Sequence, residues 1–256
     1  TLSQYNATES KVKNGIFHLY NPTNEFQRRV VFQKSDDEII QMAIEAMQYL
    51  VELTKNFKGK VTYQYSPESF SQTTLEFAVK ICNEVINVVK PTVANTLEAC
   101  MPNVYADRIE WMCKNLHNRE ALIISVHPHN DRGTSVASAE LAVLAGADKV
   151  EGTLFGNGER AGNLDIINFA FNIYSQGIDP KLDLSIIDEV KAMYEEKTQI
   201  LVHPRHPYVG DMIFTAFSGG HQDAIKKGID FYRQTNSQSW NVPYLPIDPK
   251  DIKRGY

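Results

Sequence analysis

The sequence predicts an α/β fold of parallel strands joined by crossover helices and closed into a barrel. Three observations lead there. Strand-like runs alternate with helical-period segments five times, and such alternation demands crossovers and therefore parallel strands. The run Ala121-Leu122-Ile123-Ile124-Ser125-Val126 is almost continuously apolar, as a strand covered on both faces must be. Polar, chemically able side chains follow nearly every strand: His18, then Ser66 and Glu68, Thr96, His127 and His129, and Glu159. An open doubly wound sheet would gather them at one switch point, whereas a ring of strand ends suits the mouth of a (β/α)8, or TIM, barrel.

The elements follow in order. Gly15-Ile16-Phe17-His18-Leu19-Tyr20 reads as a strand, ended by the turn signal Asn21-Pro22. Ser35-Asp36-Asp37-Glu38 is a capping box, opening a helix whose stripe is Ile39, Ile40, Ala43, Ile44, Met47, Leu50 and Val51. Gly59 closes it, and Val61-Thr62-Tyr63-Gln64-Tyr65 is the next strand. A second helix carries Leu75, Ala78, Ile81, Cys82, Val85 and Val89 on one face. A short third strand over 91–96 precedes a helix over 104–116, the strand ending at His127, and an amphipathic helix over 134–145. The fifth strand, 149–153, runs into the loop 155–163, and the next helix carries Leu164, Ile167, Phe171 and Ile173. Beyond 178 the rhythm stops. A helix over 183–197, a break at 203–208, a loop entering a helix at 218–225 and an extended, Pro-rich tail at 240–246 complete the chain. The expected domains are a barrel portion, 1–178, and a post-barrel helix, linker and start of a small C-terminal subdomain, 179–256.

Composition narrows the function classes. A net charge of -5 with dispersed basic residues argues against nucleic acid, and no run approaches the roughly 18 apolar residues of a membrane span. Cys82, Cys100 and Cys113 are odd in number and lack paired spacing, which suits reduced thiols in a cytoplasmic protein.

His127 and His129 project to the same side of a strand end, so the pair reads either as part of a divalent-metal site or as polar residues finishing a strand. On its own, His18 reads more readily as a strand-end histidine than as a ligand contact, Glu68 reads equally as a helix-start carboxylate, and Tyr244 can be a packing residue between prolines.

The stretches His127-Pro128-His129-Asn130-Asp131-Arg132-Gly133 and Gly156-Asn157-Gly158-Glu159-Arg160-Ala161-Gly162-Asn163 together resemble the metal-dependent barrel enzymes that condense acetyl-CoA with a 2-oxo acid. These are the 2-isopropylmalate, homocitrate and citramalate synthases, with the hydroxymethylglutaryl-CoA lyases as relatives. Tyr65-Ser66-Pro67-Glu68-Ser69-Phe70, Pro102-Asn103-Val104-Tyr105-Ala106-Asp107, the segment from His203 to Asp211 and the segment from Trp240 to Pro249 resemble the 2-isopropylmalate synthases in their longer form.

The resemblance implies a role for each matching position. His127 and His129 correspond to metal ligands, with Asn163 joining or supporting them; the metal would be Mg²⁺, Mn²⁺ or Zn²⁺, with K⁺ as an activator. Glu159 would lie near metal and substrate, while His18, Ser66 and Thr96 would line the 2-oxo acid pocket. Glu68 and His221 are the candidate bases, with Tyr244 as donor or orienter, and His221 and Tyr244 would serve the partner subunit of a homodimer. His203 and His206 fall where the family's chain leaves the barrel and read as structural. The implied reaction is a Claisen-type condensation of acetyl-CoA with 3-methyl-2-oxobutanoate, opening leucine biosynthesis in the cytoplasm. The other readings are a sister synthase and a non-catalytic metal-binding remnant.

The chain also departs from the pattern. It shows five strands where a barrel has eight, with a remnant at Thr1-Leu2-Ser3-Gln4, and no equivalent of the family's first-strand Arg-Asp pair. The third strand is abbreviated between Pro91 and Thr96, and the leucine-sensing domain is absent. A piece of a longer protein is therefore expected, rather than a true truncation with weak metal binding and no catalysis.

Overall fold

The fold is that of a computed structural model, described over residues 13–89, 92–96 and 100–254, and for 92–96 through the backbone alone. The proposed remnant at Thr1-Leu2-Ser3-Gln4, Pro91 and the side chain of Thr96 lie outside the described residues. The chain divides into two compact units, Thr1–Asp165 and Ile166–Tyr256.

Among its described residues the first unit has five parallel strands in sequential order: β1 (Asn14–Pro22), β2 (Lys60–Glu68), β3 (Thr92–Thr96), β4 (Ile124–His127) and β5 (Lys149–Val150). Helices α1 (Asp36–Thr54), α2 (Leu75–Val88), α3 (Pro102–Asn115) and α4 (Ser135–Leu144) fill the crossovers after the first four. Sequential parallel order is that of a barrel wall; a doubly wound sheet reverses direction at a switch point.

The pleat sorts side chains into two lists. Tyr65, Ile124 and Val126 are buried on the helix-facing side with Ile39, Ala43 and Met47 of α1, Ile81, Cys82 and Val85 of α2, and Ile109 and Met112 of α3. The alternate residues form the other face, where His18 pairs with Gln64, Tyr20 with Ser66, Thr96 with His127 and Ser125 with Lys149 in strand register.

At the head of α1 the capping box forms as read. Ser35 Oγ accepts from Glu38 N at 3.3 Å, and Ser35 N donates to Glu38 Oε2 at 2.8 Å. The cap contributes about 1 kcal/mol and each buried aliphatic side chain about 2, so packing of the stripe holds the helix and the cap fixes where it starts.

Several details differ from the sequence-based expectation. The strand expected from Ala121 begins at Ile124, because Arg119–Ala121 forms a 3-10 turn. β5 stops at Val150, after which Glu151 N still reaches Val126 O at 2.8 Å and Thr153 N turns to Leu164 O at 2.9 Å. A π-helical turn at Gln27–Val31, which no spacing signalled, follows β1. The tail at 240–246 is folded back: the Trp240 indole N–H donates to Leu245 O at 2.7 Å, around a left-handed Tyr244 (φ 64°).

The second unit contains α5 (Ile166–Ser175), α6 (Ile187–Thr198) and α7 (Gly219–Thr235). Asp183 Oδ1 accepts from Ser185 N at 3.0 Å, so the expected start of a helix at 183 is a 3-10 turn, Leu184–Ile186, leading into α6. A small core of Ile229, Val242 and Leu245 packs with Phe214, Ile225, Tyr232 and Trp240. Among the described residues, no helix is long and apolar enough to cross a membrane.

Candidate active site

A cavity of about 320 Å³ opens at the C-terminal ends of the strands of the first unit. His18 and Tyr20 reach it from β1, Ser66 and Glu68 from β2, and His127 and His129 from the end of β4. Glu151, Glu159 and Arg160 close its far side. The structure thus gathers His18, Ser66, Glu68, His127, His129 and Glu159 around one volume, with the Thr96 backbone in register with His127.

Backbone pairing between the two motif loops sets the geometry. Asn130 N donates to Gly162 O at 2.8 Å, Leu164 N donates to Pro128 O at 2.9 Å, and His129 and Asn163 form an isolated antiparallel bridge. Arg160 reinforces the seam with two hydrogen bonds to Asp131, Nε to Oδ1 at 2.9 Å and Nη2 to Oδ2 at 3.0 Å. That guanidinium holds the Asp131 carboxyl below the usual carboxylate range. Gly162 makes the loop possible: at φ +96° a β-carbon there would lie 2.1 Å from Gly156 O.

His127 and His129 have ring centroids 5.4 Å apart. His129 Nδ1 and Asn163 Oδ1 are both buried without a hydrogen-bond partner. Orphaned buried acceptors or donors are rare and need a reason; a cation is one that suits an imidazole nitrogen beside an amide oxygen. The residues present therefore fit a divalent metal. The donors are two imidazoles and an amide, and among the described residues no group of three or more His, Cys, Asp or Glu is placed to hold an ion.

The electrostatics favour neutral imidazoles and a charged carboxylate. Burial pushes His129 below its ordinary pKa, helped by Arg160 and His127. Burial likewise lowers His18, whose Nε2 lies 2.6 Å from Ser66 Oγ. Burial resists ionisation of Glu151, but hydrogen bonds from His127, Lys149 and Ser125 outweigh it and hold that carboxyl far below the usual range.

Tyr20, Ser69, Glu151 and Arg160 line the cavity without having been singled out in sequence, and Gln64 and Lys149 hold Glu151 from beside it. The available signal was period two: charged residues at 149 and 151 flank Val150, on the strand face that also carries Ser125.

In the second unit, His221, in the first turn of α7, stacks on Tyr244 with ring centroids 4.2 Å apart and planes 29° apart. The two rings thus lie side by side within the second unit, and Tyr244 is exposed. His203 Nδ1 accepts from Arg205 N at 3.1 Å and His206 Nδ1 lies 2.8 Å from Pro207 O, local turn bonds consistent with structural roles.

Comparison with known proteins gives the chain its relatives. The HMGL-like family model matches residues 4–193, and a model described as alpha-isopropylmalate synthase, post-catalytic domain-like, matches residues 211–256. A 2-isopropylmalate synthase of Rhizobium meliloti (strain 1021) is 53% identical over 249 residues, covering 94% of this chain and 45% of that protein. One from Clostridium acetobutylicum is 52% identical over 256 residues, 96% of this chain and 46% of that protein. The chain spans about half the length of the curated relatives it matches. Among solved structures, hydroxymethylglutaryl-CoA lyase from Pseudomonas aeruginosa superposes with a TM-score of 0.61 at 15% identity, over 78% of this chain and 68% of that one, which shows a shared fold.

Proposed function

The chain belongs to the HMGL-like family, and from that footing we propose that it carries the condensing site of a 2-isopropylmalate synthase. The reaction joins acetyl-CoA, 3-methyl-2-oxobutanoate and water to give 2-isopropylmalate and CoA, the entry to leucine biosynthesis. The observation that carries this reading is the seam between the two motif loops, which sets His127, His129 and Asn163 beside a polar cavity.

His127, His129 and Asn163 would hold Mg²⁺, Mn²⁺ or Zn²⁺, whose chemistry when bound is Lewis-acid polarisation of the acceptor ketone. The chain's own groups do the rest. His18, neutral because burial lowers its pKa, and the buried Ser66 hydroxyl form a hydrogen-bonding wall for the carboxylate end of the 2-oxo acid. Thr96, whose backbone is in register with His127, is assigned to the same substrate on the resemblance alone. Arg160, held by Asp131, offers a fixed cation to an anionic substrate, and Glu159 lies beside it. Glu68 is the base that takes a proton from the acetyl methyl group, and His221 with Tyr244 is the pair that moves protons at the thioester. Thioester hydrolysis releases CoA and makes the sequence irreversible. The same reading includes a cytoplasmic homodimer in which His221 and Tyr244 of one chain serve the other, and activation by K⁺.

The test is thiol release from acetyl-CoA by the full-length protein with Mg²⁺ or Mn²⁺, offered 3-methyl-2-oxobutanoate, 2-oxoglutarate and pyruvate in parallel. Turnover with the branched acid alone, lost in His127→Ala, is the expected result. Turnover with 2-oxoglutarate or pyruvate instead would assign a sister synthase. Metal binding without turnover would identify a remnant.

A further inference from the structure

We propose that Glu151 is a positioning residue for His127: its carboxylate keeps the imidazole hydrogen on Nδ1 and so reserves Nε2 for a ligand. The proposal deepens the metal reading above and rests on it for the ligand's identity.

The two oxygens of Glu151 have unequal work. Oε1 accepts three hydrogen bonds, from Gln64 Nε2 at 3.1 Å, Ser125 Oγ at 2.8 Å and Lys149 Nζ at 2.7 Å. Gln64 and Ser125 are buried, and they come from β2 and β4, so the carboxylate is tied to separate strands and cannot rotate. Oε2 is left facing His127 Nδ1 at 3.5 Å. A carboxylate is acceptor-only, so the nitrogen facing it carries hydrogen and the other keeps its lone pair. Glu151 N is itself fixed on Val126 O at 2.8 Å, one residue from His127, so the residue just past β5 is held against the end of β4. Carboxylate–imidazole pairs of this kind orient metal-ligating histidines elsewhere, and losing the outer member typically weakens metal binding by about 10–100-fold. The charge matters too: Lys149 Nζ lies 2.7 Å from Glu151 Oε1, and Glu151 is the anion that offsets it.

Glu151→Gln makes the idea sharp. Lys149 can only donate, so the new amide must turn its oxygen towards Lys149 and its NH₂ towards His127. The shape is kept, but the hydrogen bond to His127 reverses. His127 Nδ1 becomes the acceptor, and hydrogen moves to Nε2, where the ligand should bind.

The experiment pairs two readouts on the full-length protein: the ¹⁵N resonances of His127 in the metal-free state, and Mn²⁺ affinity by titration. Wild type is expected to show the Nδ1–H form, Glu151→Gln the Nε2–H form, with Mn²⁺ binding weakened about 10–100-fold. Glu151→Asp, again acceptor-only, should leave His127 in the Nδ1–H form. If Glu151→Gln fails to fold, Glu151→Ala leaves Nδ1 facing no carboxylate and should lose the Nδ1–H preference. The inference is overturned if wild type shows the Nε2–H form, or if the His127 resonances stay in the wild-type form in Glu151→Gln, or in Glu151→Ala where that variant stands in. Wild type that binds no Mn²⁺ would instead remove the metal reading, while the ¹⁵N comparison still decides what Glu151 does to His127.

Discussion

Gly158 lies against the Asn163 side chain: a β-carbon on Gly158 would come 2.8 Å from both Asn163 Cγ and Oδ1. Nothing as large as a methyl group fits there unless the amide moves. Asn163 Oδ1 is one of the two partnerless buried atoms of the site, so glycine at 158 is a condition for its placement.

Gly158→Ala is therefore expected to weaken divalent-metal binding while the fold survives. The overpacking cost of such an insertion is about 1–3 kcal/mol, borne by a loop and not by the core. Calorimetric titration with Mn²⁺ alongside thermal unfolding checks it; unchanged affinity would mean that Asn163 does not contribute to the ion.

His18 should titrate below its ordinary 6.5, because burial outweighs the pull of Glu151, and His127 and Lys149 add to the lowering. The folded state then holds fewer protons than the unfolded chain just below pH 6.5. The contribution of a neutral His18 is thus intact above that pH and is lost as pH falls towards the folded value. Proton NMR titration of the His18 ring measures it directly, and Ser66→Ala should disturb that titration through the lost 2.6 Å contact.

Burial pushes the Cys82 thiol up to about 12, inside the packing of α1 and α2. At pH 8 only about one molecule in ten thousand carries the thiolate, which is the reactive form. A thiol reagent should modify the less buried Cys113 in the native protein and reach Cys82 only on unfolding. Equal rates for the two would contradict the packing described.

Ser35→Ala removes the oxygen that accepts from Glu38 N and should cost about 1 kcal/mol, read as a lowered midpoint in urea. Ser35 and Glu38 are not among the residues that line the cavity beside the proposed metal ligands, so Mn²⁺ affinity should stay unchanged.

Local period and caps were sufficient to find all five strands and the helices after them, because each is set by residues adjacent in sequence: Ser35 and Glu38 for the start of α1, the stripe from Ile39 to Met47 for its buried face. The ring of polar strand ends was legible for the same reason, since alternation assigns His18, Ser66 and His127 to one face. The Arg160–Asp131 pair spans 29 residues, and the Asn130–Gly162 bond joins two loops whose pairing no local spacing encodes. Glu151 was missed because its importance comes from Gln64, 87 positions earlier, and from Ser125, not from its neighbours. The turn at Gln27–Val31 and the fold-back at Tyr244 are backbone choices without a strong residue signature.

The alternation in β2 has an evolutionary corollary. Tyr65 belongs to the fully buried core, and its neighbours Gln64 and Ser66 belong to the cavity side. Substitutions at even positions can retune chemistry while odd positions go on holding the wall together, so the two can drift independently. Insertion or deletion of a single residue within the strand has no such freedom: it would exchange the lists, turning a tyrosine into the pocket and a glutamine into the hydrocarbon layer at one stroke. Variation along this strand should therefore proceed by replacement and almost never by change of length.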